Sequence, residues 1–93
     1  MRLFWSDDAL DDLERIIAYY HAQAGAATAS AVQARLIQQI LALTDFPERI
    51  RKSERVVGAR ELVIQRLPYI VFVQIHEDVI RVLNIVHTAR KFP

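Results

Sequence analysis

The chain has 93 residues, the size of one small domain, so the whole span 1–93 is read as a single unit. It has no cysteine, which excludes disulfide staples and thiolate metal sites, and its 53% apolar content excludes a disordered chain. The formal net charge of +1 hides a division: residues 1–48 hold seven acids against three bases, whereas residues 49–93 hold nine bases against four acids.

Arg2 to Trp5 is short, apolar and aromatic, which predicts a first strand. Ser6 is placed to cap a helix, and Asp7 and Asp8 suit its positive N-terminal end. From there the apolar period is helical. Ala9, Leu13, Ile16 and Tyr20 form one stripe, Leu10 and Ile17 flank it, and the helix is expected to end near His21–Gln23. Phe4 and Trp5 are expected to plug the end of the core where strand meets helix.

Gly25 punctuates the break, and a second helix is predicted from about Ala26 to Thr44. Its stripe is Ala29, Val32, Leu36, Ile40 and Leu43, flanked by Ile37 and Leu41. So short a connection makes the two helices an antiparallel hairpin. Asp45-Phe46-Pro47 ends the second helix, and residues 48–59 read as a polar, basic loop.

Then the period changes to two. Glu61–Gln65, Tyr69–Ile75 and Val79–Val86 are three apolar runs separated by Leu67-Pro68 and by the turn His76-Glu77-Asp78, which predicts an antiparallel meander. The predicted fold is α+β in the order β-α-α-β-β-β: a helical hairpin packed on a roughly four-stranded, mainly antiparallel sheet.

The chain contains no nucleophile elbow, phosphate-binding loop, dinucleotide fingerprint or zinc-protease motif. His21, His76 and His87 fall at a helix end, a turn and a strand end, without metal-ligand spacing, so neither a metal nor a cofactor is expected. The start, Met1-Arg2-Leu3-Phe4-Trp5, turns acidic at Asp7 without the apolar run of a signal peptide. The reading is a cytoplasmic protein with no membrane segment. Ten of the twelve bases are arginine, the residue suited to bidentate contact with carboxylate or phosphate. The apolar flanks of the helices exceed what one sheet face can cover, which points to a groove for another protein's helix.

The segments Arg60-Glu61-Leu62-Val63, Leu67-Pro68-Tyr69-Ile70-Val71-Phe72, Val82-Leu83-Asn84-Ile85-Val86-His87, Ala89-Arg90 and Phe92-Pro93 stand in a distinctive order. So do Trp5-Ser6 with Ala9, and Asp12-Leu13 with Ile16. Together they resemble the ParE branch, the plasmid-stabilisation type, of the RelE/ParE toxin superfamily. The resemblance spans nearly the whole chain.

It implies a toxin of a type II toxin–antitoxin system that binds DNA gyrase and blocks replication stoichiometrically. It also implies a ParD-like antitoxin that wraps the toxin in a hetero-oligomer. The basic half then supplies the candidate target-binding residues Arg60, Arg66, Arg81, Arg90, Lys91 and Phe92, the last two on a mobile tail. The flanks Leu10, Ile17, Ile37 and Leu41 are the candidate antitoxin-binding residues, with acidic antitoxin groups near Arg60 or Arg66.

The alternative is a ribosome-dependent mRNA endonuclease of the RelE type. That pattern has lysines on the strand before the tight turn, an arginine after the tyrosine that opens the next strand, and a tyrosine in a C-terminal extension. Here the corresponding residues are Glu61-Leu62-Val63-Ile64, Ile70 and a chain that stops at Pro93. No catalytic residue is therefore assigned. If the chain were a nuclease, the set would be His87, Arg66, Arg81 and Arg90, with Arg81 and His87 placed on one strand face by simple alternation.

Overall fold

Ser6 begins the helical layer as expected. In a computed structural model that describes residues 1–47, 50–90 and 92, its Oγ accepts the Ala9 N–H (3.0 Å) and donates to the Leu83 carbonyl (2.7 Å). One hydroxyl thus caps α1 (Asp7–Ala24) and ties it to the last strand. Gly25 serves both helices. Its N–H donates to the His21 carbonyl and its own carbonyl accepts from Ala29 N. Its φ of 91° is open to glycine and strained for other residues. The second helix, α2 (Ala26–Leu41), tightens into a 3-10 turn over Ala42–Thr44, where the Thr44 hydroxyl donates to the Leu41 carbonyl.

The described residues form a five-stranded sheet in the order β1-β5-β4-β3-β2. β1 (Arg2–Trp5) runs parallel to β5 (Val79–His87). The other pairs are antiparallel: β5 with β4 (Tyr69–His76), β4 with β3 (Arg60–Val63), and β3 with β2 (Arg51–Lys52). The α+β class and the helical hairpin on a sheet stand as expected, with one more strand. β2 lies inside what reads as a loop. Two residues carry no legible period, and the strand exists because Glu61 holds the loop down.

The main core lies between the helices and one face of the sheet. Ala9, Ile16, Val32, Leu36, Ile40 and Leu43 meet Leu62, Ile64, Tyr69, Val71, Val73, Ile80, Val82 and Ile85. A smaller cluster covers part of the opposite face: Ile70, Phe72 and Val86, under Val56, Leu83 and Phe92. Trp5 packs against the main core, but strand alternation sends its neighbour Phe4 to the other face, 45% exposed. The expectation that Phe4 plugs the core is corrected on that ground. No helix of the described residues is long and apolar enough to cross a membrane.

β5 is irregular in its middle. Phe72 pairs with Asn84 and Val73 with Val82, so Leu83 is an extra residue, a β-bulge. The bulge is held by α1. One carboxylate oxygen of Asp12 accepts both the Ile85 backbone N–H (2.9 Å) and the Asn84 side-chain amide (3.3 Å). A bulge shifts alternation by one. Ile80 and Val82 before it, and Ile85 after it, all face the helices. Arg81 therefore faces away from the helices, while His87 falls on the helix side. The expectation that Arg81 and His87 share a face is overturned.

Candidate functional site

Each candidate arginine is positioned by a different element. Arg81 lies in mid-strand, with Phe4 of β1 and Gln74 of β4 as its cross-strand partners. The Arg2 guanidinium sits over the Phe4 ring, 5.1 Å from its centroid. This row lies on the face that no helix covers. Arg60, half-buried, opens β3. Arg66 occupies the turn between β3 and β4 with φ 66°, an uncommon conformation for a residue with a Cβ. Its side chain lines a groove of about 930 Å³ with Arg35, Gln38, Gln39, Ala42, Arg51, Leu62 and Val63.

Arg90 borders a separate hollow of about 190 Å³ beside α1, with Asp8, Asp12, Arg15, Asn84 and Phe92. Arg66 and Arg90 thus serve different concavities. Lys91 lies outside the described residues. Phe92 is not a free tail residue: its ring stacks on Phe72, centroids 5.0 Å apart and planes at 28°. The expectation of a mobile aromatic is corrected, because Phe72 belongs to a face that would otherwise be bare.

His87 closes β5. Its Nδ1 accepts the Ala89 backbone N–H (3.1 Å), so the neutral ring carries its proton on Nε2. Such a ring has no free basic nitrogen. Its edge meets the ring of Tyr69, centroids 5.5 Å apart. Tyr69 is buried, and burial, then the hydroxyl of Tyr20 beside it, pushes its phenol well above the ordinary value. The phenol of Tyr69 is thereby held neutral, and Nδ1 of His87 is engaged by Ala89.

The helical hairpin leaves apolar surface uncovered where it was expected. Leu10 is 47% exposed and Leu41 50%, while Ile17 and Ile37 are half-buried between exposed surface and core. Leu10 and Ile17 are two turns apart on α1, and Ile37 and Leu41 one turn apart on α2. The antiparallel hairpin brings the start of α1 beside the end of α2. Leu10 and Leu41 are the exposed members of the set, and Ile17 and Ile37 the partly covered ones.

Sequence reasoning missed Glu61. It is the buried charged residue of the described chain, and its carboxylate gathers the basic loop. The Ser53 hydroxyl donates to it at 2.7 Å, Arg51 Nη2 approaches at 3.4 Å and Arg55 Nε at 3.7 Å. Ser53 Oγ in turn accepts the N–H groups of Arg55 and Val56. An acid inside an apolar strand, with Ser53, Arg51 and Arg55 within ten positions, was the available signal. Among the described residues, no three acids or histidines converge as a metal site would require.

Comparison with known proteins gives this geometry a family. A profile of the ParE toxin of the type II toxin–antitoxin system parDE matches residues 3–92. The Sinorhizobium fredii protein Y4kP, whose given name is that of a toxin, is 34% identical over 92 residues, covering 99% of this chain and 93% of its own. Among solved structures, a chromosomal ParDE toxin–antitoxin system from P. aeruginosa matches with a TM-score of 0.86 and 27% identity, over 94% of this chain and 95% of that one. The chain belongs to the ParE toxin family of type II toxin–antitoxin systems.

Proposed function

We propose that this ParE-family toxin acts by stoichiometric binding to DNA gyrase in the cytoplasm, with no cofactor and no bond-making step of its own. The observation that carries the non-catalytic reading is the dispersal of the nuclease set. Arg81 faces away from the helices and His87 towards them, while Arg66 and Arg90 border different hollows. General acid–base catalysis needs its groups within hydrogen-bond reach of one reacting centre. The single nitrogen of His87 able to act as a base is occupied by Ala89.

In this reading Arg60, Arg66, Arg81 and Arg90 offer exposed or half-exposed guanidinium groups to the target, and a ParD-like antitoxin lays a helix along Leu10, Ile17, Ile37 and Leu41. Phe92 contributes by holding the C-terminal end against Phe72. Lys91, beside it in sequence, remains a proposed target contact.

The test is expression of the chain alone, followed by purified gyrase in vitro. DNA breaks, filamentation and a drug-like accumulation of cleaved plasmid by gyrase are expected. An immediate arrest of translation with cut messenger RNA would reject the reading in favour of a ribosome-dependent endonuclease.

A further inference from the structure

Alternation divides the outer face of the sheet into a covered and an open half. Leu3, Trp5, Val73, Ile75, Ile80 and Val82 pack into the core beneath the helices, so their strand neighbours point the other way. The pairing register sets these neighbours in two cross-strand rows: Arg2, Val79 and His76, then Phe4, Arg81 and Gln74. Strands stand about 4.8 Å apart and successive rows roughly 6.6 Å, so the six side chains form one patch. Farther along the same face, Val56, Leu83 and Phe92 cover Ile70, Phe72 and Val86. The two rows have no such cover among the described residues. Val79 is partly buried and the other five are exposed.

No acid stands in either row. Glu77 and Asp78 of the adjoining turn sit beside the His76 ring and the N-terminal ammonium, at 3.7 Å in each case. Arg2 and Arg81 pair with no acid among the described residues. The Arg2 guanidinium lies 5.1 Å from the centroid of the Phe4 ring, which is itself 45% exposed. Ring and guanidinium are both planes on which a base can stack. Beside them stand the free cation of Arg81 and the amide of Gln74, which both donates and accepts. An acidic peptide would use the cations and leave the planes idle. A duplex keeps its bases stacked on one another. A single strand uses every member: phosphates meet the arginines, a base stacks on Phe4 or Arg2, and Gln74 meets a base edge.

We propose that this open half of the sheet face binds single-stranded DNA. The choice of DNA over RNA rests on the gyrase reading above, because the substrate of that enzyme is DNA. Val79 agrees with it: between Arg2 and His76 it offers apolar surface, which suits deoxyribose and gives a ribose 2′-hydroxyl no partner. The toxin then touches an opened strand as well as the protein that holds it. Arg81, already placed among the target contacts, meets a phosphate rather than a carboxylate.

The experiment titrates the full chain, free of other proteins, into fluorescein-labelled oligothymidylate and reads anisotropy over a range of salt. Oligouridylate and a duplex of the same length run beside it, and oligothymidylate is expected to bind more tightly than either. Phe4→Leu keeps apolar bulk but removes the stacking plane, and should weaken binding about tenfold. Arg2→Gln with Arg81→Gln should lower the slope of log affinity against log salt by about 1.4, roughly 0.7 for each phosphate contact on a single strand. Arg15→Gln with Arg35→Gln removes the same charge from exposed positions on the helices and should leave the slope unchanged. The slope decides even if Phe4→Leu fails to fold. Equal slopes in the two double variants overturn the face, and so does tighter binding of RNA or duplex. A chain that makes gyrase accumulate cleaved plasmid yet binds no oligothymidylate overturns the face and leaves the gyrase reading standing. A chain that binds oligothymidylate through these rows and leaves gyrase untouched upholds the face and sinks the gyrase reading.

Discussion

Tyr69 and His87 form an edge-to-face pair at the end of the sheet, and each makes a distinct prediction. Tyr69 is buried, and its phenol is held above the ordinary value near 10 by burial and by Tyr20. A raised folded-state value favours the neutral phenol. Its contribution to stability is therefore complete below about pH 10 and falls as pH rises, because the unfolded chain ionises first. Above about pH 10 this residue alone gives a loss of up to about 1.4 kcal/mol per pH unit. Chemical denaturation of Tyr69→Phe and the parent at pH 9 and pH 11 should show the parent losing more. Equal losses would remove Tyr69 from the alkaline transition. For His87→Ala, toxicity is expected to persist within a few fold, because Nδ1 is engaged by Ala89 and no proton transfer is assigned to the ring. Loss of a general base typically costs 10²–10⁴-fold, so growth arrest on induction separates the outcomes cleanly.

The elements show where periodicity is a sufficient guide and where it is not. The helix caps, both amphipathic stripes and the three strands of the meander were legible, because Ser6, Gly25 and the apolar spacing act locally. The bulge at Leu83 was not. Val79–Val86 reads as an apolar run broken only by Arg81 and Asn84, and the shift is set by Asp12, seventy-two residues away from Asn84, which accepts the N–H that the bulge exposes. β2 was hidden for the same reason: its partner is the Glu61 carboxylate as much as the β3 backbone. Glu61→Gln keeps an acceptor for the Ser53 hydroxyl but removes the charge that draws Arg51 and Arg55. It is expected to cost about 1–2 kcal/mol. The more telling readout is local: the Ser53 amide, bonded to the Ala59 carbonyl, should exchange faster while amides of α1 and β4 change little. A uniform loss of protection would mean that Glu61 supports the whole fold rather than the loop.

Across the whole molecule, the proposed antitoxin seat on the hairpin and the proposed target contact at Arg81 occupy different sides. The helical hairpin presents Leu10 and Leu41, and the uncovered sheet face presents Arg81 in a row with Phe4 and Gln74. Which arginines share a face was not legible in the sequence, since it depends on the bulge. In the structure Arg81 lies on the uncovered sheet face and Leu10 and Leu41 on the hairpin. This separation predicts two opposite phenotypes. Arg81→Ala with Arg90→Ala removes exposed cations without opening the core, so melting should shift little. Toxicity should fall at least about tenfold while antitoxin binding stays within a few fold. Leu10→Asp with Leu41→Asp places charge in the apolar seat on side chains already half exposed, so the fold is retained. Toxicity should persist and the antitoxin should no longer neutralise it. Phe92→Ala is the control for the C-terminal end. It removes the ring stacked on Phe72 and should cost about 1–2 kcal/mol by exposing that face. A loss of toxicity that followed Phe92→Ala but not the double arginine change would assign the C-terminal end to packing and move target contact away from Arg81 and Arg90. Coincident loss of toxicity and antitoxin binding in the arginine variant would show that the two partners compete for one surface, and neutralisation would then act by direct occlusion.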